Sequence, residues 1–133
     1  MTFPSPGLAV AAAACVALAA PTTAQANHPQ SFRTPTGKIQ CAYFAIDEAV
    51  QIRCDLLFLN DRAVVLKTSG KARKIVATDT VSSPSAKTLA YGTSIRYGSF
   101  TCTSRTTGLT CTSRRTGHGF TVSRESQKVF SEQ

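Results

Sequence analysis

Four of the five cysteines, Cys41, Cys54, Cys102 and Cys111, lie in short runs where apolar and polar residues alternate. An even number of cysteines in a short exported chain reads as a disulfide framework. A zinc site would need other pieces. There is no Cys-x-x-Cys knuckle, and His118 is the single further ligand candidate in an ordered region. No metal and no cofactor is therefore expected. His118 sits between Gly117 and Gly119 and shares a strand row with Phe100 and Ser113. A Ser–His pair at the end of a sheet is where hydrolase chemistry would start. No nucleophile elbow accompanies it, and Asp79, the candidate acid before Thr80, is accounted for by an Asx-turn. The remaining carboxylates are few and scattered, which argues against a paired-carboxylate glycosidase. No catalytic residue is assigned.

Positive charge is the other chemical resource. The chain holds 15 Lys and Arg against 7 Asp and Glu, a formal net charge of +8, and all of these residues lie beyond position 26. Arg114 and Arg115 fall at a predicted hairpin tip, with His118 close by, and Lys71, Arg73 and Lys74 surround another turn. Together they form a candidate binding surface for cell-wall polymer or a membrane surface through phosphate contacts. Aromatic residues do not interleave with these charges, so base stacking and a specific nucleic-acid partner are not expected. The plainer account is a set of solvated turn residues that keep an exported protein dispersed.

The elements that must position these residues are short strands. Thr101 to Gly108 nearly repeats as Thr110 to Gly117, each copy one strand and one turn closed by glycine. Four-residue loops place Cys102 opposite Cys111, and Cys111 opposite Phe120. Phe100, Cys102, Leu109, Cys111, Phe120 and Val122 then share a core face, and the threonines share the other. Threonine rows also occur on ice-binding and carbohydrate-binding sheets. A short twisted antiparallel sheet with arginine in its turns instead fits threonine's preference for an exposed pleated face.

A second hairpin, Ile39 to Ile46 and Val50 to Cys54 turning at Asp47-Glu48, faces Cys41 with Cys54, Tyr43 with Ile52 and Ala45 with Val50. The expected disulfides are thus Cys41–Cys54 and Cys102–Cys111, because opposed residues approach disulfide geometry. Further runs predict a hairpin from Leu56 to Lys67 around Asn60-Asp61-Arg62 and a turn at Ser69-Gly70-Lys71. They also predict a strand from Arg73 to Ala77, a loop from Asp79 to Lys87 and a short strand at Leu89 to Gly92. The segment from Arg124 to Phe130 reads as a helical turn or a last strand that returns Val129 and Phe130 to the core. The fold class expected is all-β: a small disulfide-bonded sandwich or open barrel built from hairpins and a C-terminal meander.

The first 26 residues read as a signal peptide. Leu8 to Ala20 is apolar but too short to span a bilayer, and Ala24-Gln25-Ala26 is a cleavage site. The leader carries no Lys or Arg before its apolar run, and Cys15 leaves with it rather than serving as a lipoprotein cysteine. Residues 27–133 are expected to form a single secreted β domain, a monomer, extracellular or associated with the cell envelope. His28, at the second position of that domain, has no expected role.

One set of residues resembles a known family. Phe32-x-Thr34-Pro35-x-Gly37-x-Ile39-x-Cys41 is followed by Arg53-Cys54-Asp55, Asp79-Thr80 and Leu89-Ala90-Tyr91-Gly92. Then come Phe100 to Ser104, Gly108 to Cys111, Gly117 to Phe120 and Ser123-Arg124. In this order the pattern is similar to a family of small secreted bacterial proteins, common in high-GC Gram-positive species, whose domain has no assigned function. The resemblance runs from Phe32 to Phe130. Members typically carry two more cysteines, one near a Trp-Gly pair and one just before the Asp-Thr motif. This chain has no tryptophan, and Val76 stands near the second position. The resemblance implies a secreted, disulfide-bonded domain and supplies no catalytic residues. The function expected is a non-catalytic binding module with a basic surface. The alternatives are a small hydrolase using His118, and a secreted inhibitor or structural module acting through a loop such as Asp79 to Lys87.

Overall fold

The computed structural model describes residues 2–4, 7, 30–46 and 49–131. The expected cleavage site, Cys15, His28 and the Asp47-Glu48 turn lie outside them. Among the described residues there are eleven strands and no helix. They are β1 (Gln30–Arg33), β2 (Ile39–Ile46), β3 (Ala49–Leu56), β4 (Arg62–Lys67), β5 (Arg73–Val76) and β6 (Lys87–Thr88). These are followed by β7 (Ser94–Tyr97), β8 (Phe100–Arg105), β9 (Gly108–Ser113), β10 (His118–Val122) and β11 (Gln127–Ser131). One sheet has the order β5-β4-β3-β2-β1-β6 and the other β11-β10-β9-β8-β7. All pairings are antiparallel except β1 with β6. The two sheets pack face to face and do not close into a barrel.

Alternation decides which residues fill the space between the sheets. Phe100, Cys102, Leu109, Cys111, Phe120 and Val122 are all buried, as the meander pattern requires. Phe32, Cys41, Ile52, Cys54, Val64 and Leu66 meet them from the other sheet. Each large apolar side chain contributes about 1.5–3 kcal/mol through burial. Both expected disulfides are present, Cys41–Cys54 and Cys102–Cys111. Each joins directly opposed residues of one hairpin. Closing such short loops stabilises by about 2–3 kcal/mol each through the unfolded chain. The threonine face forms its own bonds: the Thr110 and Thr121 hydroxyls lie 2.9 Å apart, and those of Ser94 and Thr103 2.7 Å.

Several expectations need correction. The first meander loop closes further than four residues, because Arg105 still pairs with Gly108 and leaves a two-residue turn. Leu57 to Leu59 is a turn, not a strand; β3 ends at Leu56, and Asp61 takes a left-handed φ of 51°. Leu89 to Gly92 is not a strand either: Leu89 N–H bonds Arg33 O just past β6, and Tyr91-Gly92 is a turn in which Thr93 N–H bonds back to Ala90 O. Residues 127–131 form a strand, and neither apolar residue there reaches the core. Val129 stays 43% exposed on an edge strand, while Phe130 lies across Gly119 on the outer face. A Cβ on Gly119 would sit 2.8 Å from the Phe130 ring, so the missing side chain makes room for it.

Registers sort the turns into two groups, one at each end of the sandwich. Tyr43 stacks on Tyr97 at 5.5 Å and meets Phe100 edge-on at 5.9 Å, which aligns one end of each sheet. Burial raises the pKa of the Tyr97 phenol above its ordinary value by desolvation. That end carries the turns at 68–72, 98–99 and 114–117. The opposite end carries those at 34–37, 57–61, 106–107 and 123–126.

Candidate functional site

The candidate basic residues separate once the strands are placed. Arg114 and Arg115 are exposed in the β9–β10 turn, where Gly117 N–H bonds Ser113 O and the Arg114 guanidinium donates to Gly98 O. Lys71, in the 68–72 turn, and Arg73, at the start of β5, are exposed at the same end. Lys74 departs from the group. It pairs with Val64 and lines a groove of about 380 Å³ on the flank, beside Leu56, Leu59, Arg62 and Gln127. No hydrogen bond or ion pair among the described residues joins the 68–74 segment to the 114–117 turn.

His118 starts β10 opposite Ser131. Its Nδ1 and the Ser131 hydroxyl share a hydrogen bond, and its N–H is bonded to Thr116 Oγ1 at 3.2 Å. The hydroxyl beside the imidazole thus comes from β11 and not from Ser113. Ser113 is buried on the core face and its Oγ has no protein partner. No carboxylate among the described residues bonds the ring. No group of three or more His, Cys, Asp or Glu among them is arranged to hold a metal.

Asp79 does engage a partner, contrary to the Asx-turn expectation. The outer face of the larger sheet carries Arg53 and Asp55, both buried, with Arg53 Nε donating to Asp55 Oδ1 at 2.8 Å. Arg53 Nη1 donates to the Asp79 carboxylate at 3.1 Å, and Nη2 to the Asp79 carbonyl at 2.9 Å. The second Asp55 oxygen accepts from Thr80 Oγ1 at 3.1 Å and Val81 N–H at 2.8 Å. The Arg53-Cys54-Asp55 and Asp79-Thr80 motifs therefore form one latch that pins the start of the 79–86 loop to the sheet. The Asp79 side chain is 76% exposed, so its share is screened by water, whereas the Arg53–Asp55 pair is buried and fully engaged.

Sequence reasoning missed a second concentration of charge at the other end. A groove of about 530 Å³ is lined by Lys38, Arg105 and Arg124 together with Phe58, Tyr91 and Glu125. Its walls come from turns distant in sequence. The β8–β9 turn is drawn against the end of β10 by Gly108, whose φ is 143° and whose Cβ, if present, would lie 2.7 Å from Val122 O. The signal available in advance was the register itself. Successive hairpin turns alternate between ends, so Arg105 and Arg124 had to share the end opposite Arg114.

An all-β, two-sheet domain held by two internal disulfides is the class these observations define. The chain belongs to a family of unknown function, DUF6636, whose model matches residues 48–130. The match takes in every motif of the resemblance after Cys41 and leaves the Phe32 to Cys41 segment before it. No curated protein and no solved structure matches the chain. The disulfides point to an oxidising environment.

Proposed function

We propose that this chain is an exported, non-catalytic binding module. A 1–26 leader would direct export and residues 27–133 would form the working domain. Its partner would be an anionic cell-wall polymer or membrane surface, met through Lys71, Arg73, Arg114 and Arg115. The observation that carries the proposal is a charge imbalance. Of 15 Lys and Arg residues, only Arg53 takes part in an ion pair among the described residues. Two of the described carboxylates, Asp55 and Asp79, are spent on that one guanidinium. No carboxylate among the described residues pairs with the other cations, which favours an anionic partner. Arg73, Arg114 and Arg115 carry guanidinium forks suited to phosphate oxygens.

Retention of the disulfide-bonded protein on isolated wall polymer and on anionic vesicles tests this. Binding at low salt should weaken steeply as salt rises, since exposed charges are screened over about 10 Å at 0.1 M. Folded protein that is retained on neither at low salt would overturn the proposal. Equal retention on nucleic acid would reduce the preference to net charge alone.

A further inference from the structure

We propose that the groove at the Arg105 end is a second, separate site that binds an anionic saccharide: a pyranose ring bearing a carboxylate or a phosphate. It does not depend on the polymer surface at the opposite end, and either can fail without the other.

The first support is charge. Lys38, Arg105 and Arg124 converge on one groove, and none of them forms an ion pair among the described residues. Glu125 lines the same groove and pairs with none of them. Three cations held around one concavity repel one another and raise the local concentration of anions. Two guanidinium forks suit the oxygens of a carboxylate or phosphate.

The second support is the company these cations keep. A simple anion site needs no aromatic rings, yet Phe58 and Tyr91 line this groove, and Tyr91 is 45% exposed. Thr36, Thr106 and Ser123 add hydroxyl groups. Apolar ring faces beside a few convergent polar groups are the usual make-up of a small-molecule site. A pyranose presents that pattern in complement, with C–H faces for a ring and an equatorial belt of hydroxyls.

The third support is rigidity. Thr34 N–H bonds Ile39 O at 3.0 Å and Gly37 N–H bonds Thr34 O at 2.8 Å, which fixes the turn before Lys38. Gly92 N–H bonds Ser104 O at 2.7 Å, which staples the Tyr91 turn to the end of β8. Ser123 N–H bonds Ser126 O at 2.7 Å, and Gln127 Nε2 donates to Ser123 O at 2.7 Å, which holds the turn carrying Arg124. With the backbone set in advance, binding costs mainly side-chain ordering.

The test is a titration of the isotopically labelled protein, followed by NMR, with glucuronic acid and glucose 6-phosphate. Glucose, inorganic phosphate and uridine monophosphate serve as comparators. One or both anionic sugars should shift amides at 36–38, 91–92, 105–108 and 123–125, binding about tenfold tighter than glucose or phosphate. Which of the two binds tells carboxylate from phosphate. Arg105→Gln with Arg124→Gln should weaken that binding about tenfold, and Tyr91→Ala several-fold. Lys67→Gln with Arg96→Gln removes the same charge from exposed positions elsewhere and should change it less than about twofold. An unchanged melting temperature for each variant shows that it folds. Phosphate binding as well as the sugar phosphate would overturn the saccharide assignment. Tighter binding of the nucleotide would replace it, and no shift at about 20 mM of any probe would remove the site.

Discussion

The two ends of the sandwich carry similar positive charge and are built differently. At one, Arg114 and Arg115 stand exposed on a hairpin tip, with the Arg114 guanidinium bonded to Gly98 O, and Lys71 and Arg73 are exposed at the same end. At the other, Lys38, Arg105 and Arg124 surround a groove that also holds Phe58 and Tyr91. A convex tip can meet an extended partner at its surface and gains mainly screened Coulomb energy. A concave site can desolvate a small ligand and add ring contacts to the charge. The proposed polymer contact at one end and the proposed small-molecule site at the other use the same residue types, and shape is what distinguishes the two proposals.

If β10 supports both ends, damage to its core residue should abolish the difference between them. Phe120 is fully buried, with His118 two residues before it and Arg124 four after. Phe120→Ala should cost about 3–5 kcal/mol in denaturant unfolding. Thr112→Ala, on the outer face of the adjacent strand, should cost well under about 1 kcal/mol. Similar losses for the two would mean that the meander register is wrong.

A smaller effect separates the ends directly. Gly108→Ala puts a methyl 2.7 Å from Val122 O on a backbone with φ of 143°, and should cost about 3 kcal/mol. Gly117→Ala, in the other turn with φ of 73°, carries the left-handed penalty of about 1–2 kcal/mol. Thermal unfolding of the two variants checks the order. Equal losses would mean that the groove end is no more tightly assembled than the tip.

How much of this was legible in the sequence follows from the range of the interactions. The disulfides were, because hairpin register is local arithmetic: once Cys102 and Cys111 flank a short turn, alternation puts them opposite each other. The Arg114-Arg115 tip was legible because its charges are adjacent. The groove was not, since Lys38, Arg105 and Arg124 are brought together only by the packing of two sheets. Asp79 was misread for the same reason. An Asx-turn is a local alternative, while its real partner, Arg53, lies 26 residues away on the outer face of a sheet. The segments Leu57–Leu59 and Leu89–Gly92 were mistaken for strands because short apolar runs also occur where turn residues pack against a core edge. Phe58, half-buried beside that core, is such a case.

The central claim is that the charge acts by place and not only by amount. Charge reversal in matched pairs tests it most directly. Arg114→Glu with Arg115→Glu, and Arg105→Glu with Arg124→Glu, change the net charge equally. Retention on wall polymer at low salt should fall about tenfold for the first pair and no more than about twofold for the second. Equal losses for both pairs would contradict the account and leave the charge acting through its total alone.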